Sequence, residues 1–328
     1  MHFMGIITPL VTPLDKRGDI DEDSLARLID WQIAKGVHGI FVLGTNGEGN
    51  LLLDEQKRRV VRVASESVAG RVPLLCGVSD TSLPRVLANI ESIAQYEFDA
   101  YVSTLPYYCI TGPEEQYGFF RSLCEAVDRP LMAYNIPSFV KNDIAVEVIE
   151  RLLEFDRFAG VKESGDDLGR YRRLMAAKAR KPEISFFTGC SHLVDVAYSL
   201  GFDGGVIGLA NIIPAQCGAW HSMYMRGDVE CARAVQAGTL RILEKVMAYR
   251  KLKGHATTLP GTKSILRAMG IIRESTLVAP YLGEDAADES ELRAICEAIR
   301  AEEADLTQHS AVSYQSVSGR LDEQPELG

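Results

Sequence analysis

Apolar positions along the chain follow two alternating rhythms. Short, near-continuous hydrophobic runs read as buried strands: "GIITPLVTP" at 5–13, "GIFVLG" at 39–44, "VPLLCGV" at 72–78 and "DAYVSTL" at 99–105. "PLMAYNI" at 130–136, "FAGVK" at 158–162, "ISFFTG" at 184–189 and "GGVIGLA" at 204–210 continue the series. Between them the apolar residues recur at helical spacing. Leu25, Leu28, Ile29 and Ile33 form one stripe, Val60, Val61, Ala64 and Val68 a second, and Val86, Ile90, Ile93 and Ala94 a third. Start signals agree. Asp54 opens "DEQKRRVV", Ser82-Leu83-Pro84 opens the third stripe, and Pro113 opens "PEEQYGFF".

Eight strands alternating with helices, in units of about 25 to 30 residues, predict a parallel sheet closed into a TIM (β/α)8 barrel. A doubly wound open sheet is the competing fold. It would carry GxGxxG after an early strand, whereas "GTNGEG" at 44–49 has the spacing GxxGxG. The barrel reading spans residues 1–226. Helical stretches at 229–252, 261–270 and 288–306 then predict a C-terminal helical subdomain over 227–306. Residues 307–328 are polar, aperiodic and rich in Ser, Gln and Glu, which reads as a flexible tail without a core of its own.

Composition narrows the function. The chain has 328 residues, 46% of them hydrophobic, enough for a large core, and a net charge of −10 that argues against a nucleic-acid partner. No apolar run approaches the roughly 18 residues of a membrane helix, and "MHFMGIITPL" lacks the pattern of a secretory signal. The expectation is a cytoplasmic protein. Cys76, Cys109, Cys124, Cys190, Cys217, Cys231 and Cys296 make no CxxC, and the histidines make no HxH or HxxxH. No metal and no cofactor is expected.

In a TIM barrel the reacting groups come from the C-terminal ends of the strands. Here those ends offer Thr45, Asn46, Gly47 and Glu48 after the second strand, Tyr107 and Tyr108 after the fourth, and Tyr134 and Asn135 on the fifth. Lys162 closes the sixth strand, Gly189 the seventh, and the eighth runs through Val206. A lysine in apolar surroundings loses its proton more easily, because burial disfavours the charged form. The free amine can form an imine with a ketone, and hydroxyl groups nearby can relay protons. The plainer alternatives for Lys162 are a surface lysine after a strand, or an ion-pair partner for Glu163.

Five segments in order carry a family resemblance over roughly residues 4 to 300: "GTNGEG", "LPYYCITG", "YNIPS", "GVKESGDD" and "PGTKSILRAMGI". Together they resemble the dihydrodipicolinate synthase/N-acetylneuraminate lyase family of class I aldolases. The resemblance implies that Lys162 forms a Schiff base with a 2-oxo acid, usually pyruvate. It implies that Tyr134 is the main proton carrier and that Thr45 links it in a relay with Tyr108. The tyrosine matching Tyr108 reaches into a neighbouring subunit in the family, so a homo-oligomer, dimer or tetramer, is implied. The amides of Thr45 and Asn46 would hold the substrate carboxylate, with Gly189 and Val206 lining the matching face. Glu48 reads as a residue that fixes the loop, Tyr107 as packing, and Asn135 and Pro137 as turn-shaping residues.

Two departures bear on the substrate. The synthases of the family continue Y-N-x-P-[SG]-R, but this chain has Phe139 where that arginine holds the second substrate's carboxylate. A phenyl ring cannot make the bidentate contact, and Lys141 is the nearest surrogate. After the seventh strand the sialic acid lyases offer carboxylates, whereas this chain offers Cys190, Ser191 and His192. Phe139 and Cys190 point to a less polar acceptor pocket, with His192 a further candidate contact. The expected function is a lyase or aldolase acting on a 4-hydroxy-2-oxo acid with pyruvate as the enamine half. The alternatives are a dihydrodipicolinate-type condensation, a 2-keto-3-deoxy sugar acid dehydratase, and a 2-oxo-acid-binding regulatory barrel without turnover.

Overall fold

The computed structural model describes residues 2–252, 254, 256–282 and 289–321. Its strands are β1 (Gly5–Pro9), β2 (Gly39–Val42), β3 (Leu74–Gly77), β4 (Ala100–Ser103), β5 (Leu131–Asn135), β6 (Phe158–Glu163), β7 (Ser185–Thr188) and β8 (Gly204–Gly205). They close into one parallel barrel in chain order, β8 returning to pair with β1. Closure excludes the open doubly wound sheet. Every strand residue is buried, because side chains alternate between the barrel interior and the helices outside. That is why the strands read as unbroken apolar runs.

The paired strands are shorter than those runs. The runs at 5–13, 39–44 and 204–210 outlast β1, β2 and β8 by two to five residues that, Gly208 apart, stay buried but leave the ladder. Of these, Val206, Gly208 and Leu209 line the cavity at the C-terminal mouth of the barrel.

The helices are α1 (Glu22–Ala34), α2 (Asp54–Val68), α3 (Leu83–Ile93), α4 (Pro113–Ala126), α5 (Pro137–Val140), α6 (Val146–Leu152), α7 (Leu168–Lys178) and α8 (Val194–Leu200). After them come α9 (Pro214–Met225), α10 (Val229–Leu252), α11 (Leu259–Ala268) and α12 (Glu289–Leu321). The stripes seen in the sequence face the barrel: Leu25, Leu28 and Ile29 on α1, Val60, Val61, Ala64 and Val68 on α2, and Val86, Ile90 and Ile93 on α3 are buried, and Ile33 on α1 is half-buried against the core. Ala94 falls one residue beyond α3 and is half-buried. Asp21 caps α1 by accepting from the Ser24 N–H at 3.1 Å.

A turn at 226–228 follows α9, and α10 then packs against α9, α11 and α12. The backbone of α12 runs on through 307–321, where the sequence pattern reads as a tail. That stretch has no proline and a single glycine, Gly319, so nothing in it forbids helix even though it lacks an apolar period. The remainder of the expected tail, 322–328, lies outside the described residues.

Candidate active site

Strand register assembles the centre. Tyr134 on β5 pairs with Lys162 on β6, and Asn135 pairs with Glu163. Paired residues share a face, and neighbours along a strand alternate. Tyr134 and Lys162 therefore point into the barrel, while Glu163 points out toward α7. There Arg170 Nε donates to Glu163 Oε2 at 2.6 Å, and Asn135 Nδ2 donates to the same carboxylate at 2.9 and 3.0 Å. Glu163 is thus taken by other partners, and Lys162, 3% exposed, is no surface lysine.

Lys162 Nζ lies 3.8 Å from the Tyr134 ring centroid and 5.0 Å from that of Phe41. Burial pulls its pKa below the ordinary lysine value, with Tyr134 working the other way. The Tyr134 hydroxyl sits 3.3 Å from Thr45 Oγ1. A buried amine with a depressed pKa, a phenol and a threonine hydroxyl are thereby within reach of one another.

Thr45 rides on a tight loop. Leu43 and Glu48 take left-handed backbone, φ 59° and 55°. A Cβ at Gly49 would lie 2.1 Å from the Leu43 carbonyl oxygen, so only glycine fits there. Gly47 would meet Leu10 and Leu43 backbone at 3.0 Å, a milder conflict. Its carbonyl accepts from Thr12 Oγ1 at 2.7 Å. Glu48 reaches back to the buried ammonium of Lys263 on α11 and accepts from the Val278 N–H at 2.7 Å. This ties the loop to the C-terminal helices.

A cavity of about 280 Å³ opens over the centre. Thr45, Asn46, Tyr134, Lys162, Gly189 and Val206 line it, and so does Phe139. Phe139 is 47% exposed, on α5. Lys141 does not line the cavity; it lies beyond α5 with φ 60° and donates to the Ser138 carbonyl at 2.7 Å. The surrogate role considered for it has no support in this geometry. Two further expectations are corrected. The Cys190 thiol turns to the Gly165 carbonyl, 3.2 Å away, and burial raises its pKa to about 11. His192 is exposed in the short 3-10 turn that follows; neither residue lines the cavity, though Ser191 between them does.

Tyr108 lies outside the cavity of its own chain. It is 96% exposed and takes φ 80°. Tyr107 is half-buried and helps line a second cavity of about 130 Å³, which also touches Thr45 and Tyr134. The reading from strand ends missed the outer wall of the main cavity. Leu243, Val246 and Arg250 of α10, with Thr257, Thr258 and Thr262, supply it. These residues lie outside the β/α pattern that locates a barrel's reacting groups, so no signal at the strand ends could have found them.

A closed (β/α)8 barrel with a buried lysine and a hydroxyl pair at its C-terminal mouth has the architecture of a barrel enzyme. Residues 2–299 match the Dihydrodipicolinate synthetase family, and the chain belongs to that family of lyases and aldolases. It is 30% identical over 266 residues to the 4-hydroxy-tetrahydrodipicolinate synthase of Ralstonia nicotianae, covering 81% of this chain and 87% of that one. The structure of the 4-hydroxy-tetrahydrodipicolinate synthase from Methylacidiphilum fumariolicum SolV superposes with a TM-score of 0.85 at 25% identity, over 94% of this chain and 99% of that one. The E. coli K12 prophage protein YagE, of the dihydrodipicolinic acid synthase family and solved in complex with pyruvate, shares the fold at a TM-score of 0.84 and 23% identity, over 92% and 99% of the two chains.

Proposed function

We propose that the protein is a Schiff-base lyase that cleaves or forms a 4-hydroxy-2-oxo acid, with pyruvate as the enamine half. The observation that carries this reading is Lys162, buried beside Tyr134 at the floor of the cavity, with a lowered pKa and its neighbour Glu163 already paired. In the cleavage direction the neutral amine adds to the C2 carbonyl and water leaves, giving an iminium. Tyr134, linked to Thr45, takes the C4 hydroxyl proton. The C3–C4 bond breaks, its electron pair enters the iminium, and the aldehyde departs. Protonation of the enamine at C3 and hydrolysis then release pyruvate and restore the amine. Thr45 and Asn46 hold the pyruvate carboxylate in this scheme.

We also propose a homo-oligomer in which Tyr108 of a second copy completes the relay. Its exposure supports this, as does that of Ile110 (74%) and Leu53 (71%), apolar side chains that a partner would cover. The second cavity, against Thr45 and Tyr134, offers the space. A synthase-type condensation is disfavoured as far as α5 is concerned, since Phe139 faces the cavity and Lys141 does not. The test is pyruvate release from a series of 4-hydroxy-2-oxo acids, followed by enzymatic reduction to lactate. Wild type should turn over at least one of them, and Tyr134→Phe should slow it about 10²-fold or more. No pyruvate from any, or a variant within a few-fold of wild type, contradicts the reading.

A further inference from the structure

The main cavity has two chemically different ends. Lys162, Thr45 and Asn46 sit at the inner one. Leu209, Ile212, Leu243 and Val246 add apolar wall. At the outer end stand Arg250, from the last turn of α10, and the hydroxyl residues Thr257, Thr258 and Thr262. Arg250 Nε is sealed from solvent and has no hydrogen-bond partner among the described residues. That N–H has lost its hydration and gained no partner, and the rest of the half-buried side chain lines the cavity, where an anion would offset the loss.

We propose that Arg250 holds a second carboxylate, carried on the aldehyde half of the substrate. This rests on the lyase reading and names its substrate class: a 4-hydroxy-2-oxo acid with a carboxylate at the far end. The pyruvate carboxylate belongs to the inner end, so a further anion must sit on the other side of the bond that breaks. A planar guanidinium in a cavity that three threonines also line suits one carboxylate, which it can grip through two parallel hydrogen bonds. The apolar part of the lining suits the carbon chain between the two carboxylates. The positive charge absent at Phe139 on α5 is then supplied from α10, across the cavity. This revises the less polar acceptor pocket expected from Phe139 and Cys190, of which only Phe139 lines the cavity.

The experiment measures imine formation, independently of which aldehyde is natural. Purified protein is reduced with borohydride in the presence of 2-oxo acids of four to seven carbons, each ending in either a methyl or a carboxylate. The half-trapping concentration is read by intact mass. In wild type at least one carboxylate-ended compound should trap at a tenfold or more lower concentration than its methyl-ended match. In Arg250→Gln that ratio should fall to within twofold, and in Arg250→Lys it should lie between. No preference at any length, or one that Arg250→Gln retains, overturns the proposal while leaving the lyase reading intact. Failure of wild type to trap even pyruvate brings down both. If Arg250→Gln traps nothing, Arg250→Lys decides: an undiminished preference overturns the proposal, and an intermediate one supports it.

Discussion

Beneath the loop that carries Thr45, an ammonium and a carboxylate share a site closed to solvent. Lys263 and Glu48 are each 0% exposed and paired, and Lys263 also donates to the Thr276 carbonyl at 2.8 Å. Burial lowers the pKa of Lys263, and the Glu48 charge opposes that shift. Such a pair adds little net stability over an apolar substitute, yet breaking it strands a buried charge. Lys263→Met should therefore cost about 3–5 kcal/mol in urea unfolding, and Glu48→Gln with Lys263→Met distinctly less. Equal losses in the two variants would show that the pair does not behave as a coupled charge. The sequence made Glu48 legible as a loop-fixing residue because it sits inside "GTNGEG". Its partner lies 215 positions away, and no local pattern joins the two. The contrast recurs in the cavity. Lys162 declares itself by ending an apolar strand, whereas Arg250 sits among the other basic residues of "AYRKLKG" and shows its position only once α10 is folded over the barrel mouth.

At the scale of elements, all eight strands and the helical stripes were readable, because burial on both faces leaves an unbroken apolar run and burial on one leaves a 3.6-residue period. The ends of the strands were less so. Val206 to Ala210 are mostly as buried as β8 itself, but they form a loop and a 3-10 turn, and hydropathy cannot tell wall from ladder. Residues 307–321 show the converse, since a polar stretch with no breaker can be helical without showing a period. His192 was placed near the chemistry by counting from β7; the turn at 191–193 takes its side chain to the surface while Ser191 stays at the cavity.

At the scale of the whole molecule, stability carries a pH dependence built in at the end of the barrel away from the site. Opposite the site, where β2 begins, the rings of His38 and His221 meet edge to face at 4.3 Å, and the Tyr198 hydroxyl lies 2.6 Å from His221 Nδ1. Burial lowers the pKa of both histidines, that of His221 from 6.5 to about 4. The unfolded chain therefore binds more protons than the folded one between those values, so stability is complete above about pH 6.5 and falls as the pH drops toward 4. Between pH 7.5 and 5 His221 alone should remove about 2 kcal/mol of unfolding free energy. Urea midpoints that stay constant over this range, or that fall equally in His221→Gln, would count against the assignment. The mechanism proposed for the C-terminal face depends on Lys162 being the imine-forming amine. It is tested most directly by reducing the enzyme with borohydride in saturating pyruvate and mapping the adduct by peptide mass spectrometry. A single adduct on the peptide bearing Lys162, absent when pyruvate is omitted, is the expected result; an adduct on another lysine, or none, would contradict the account.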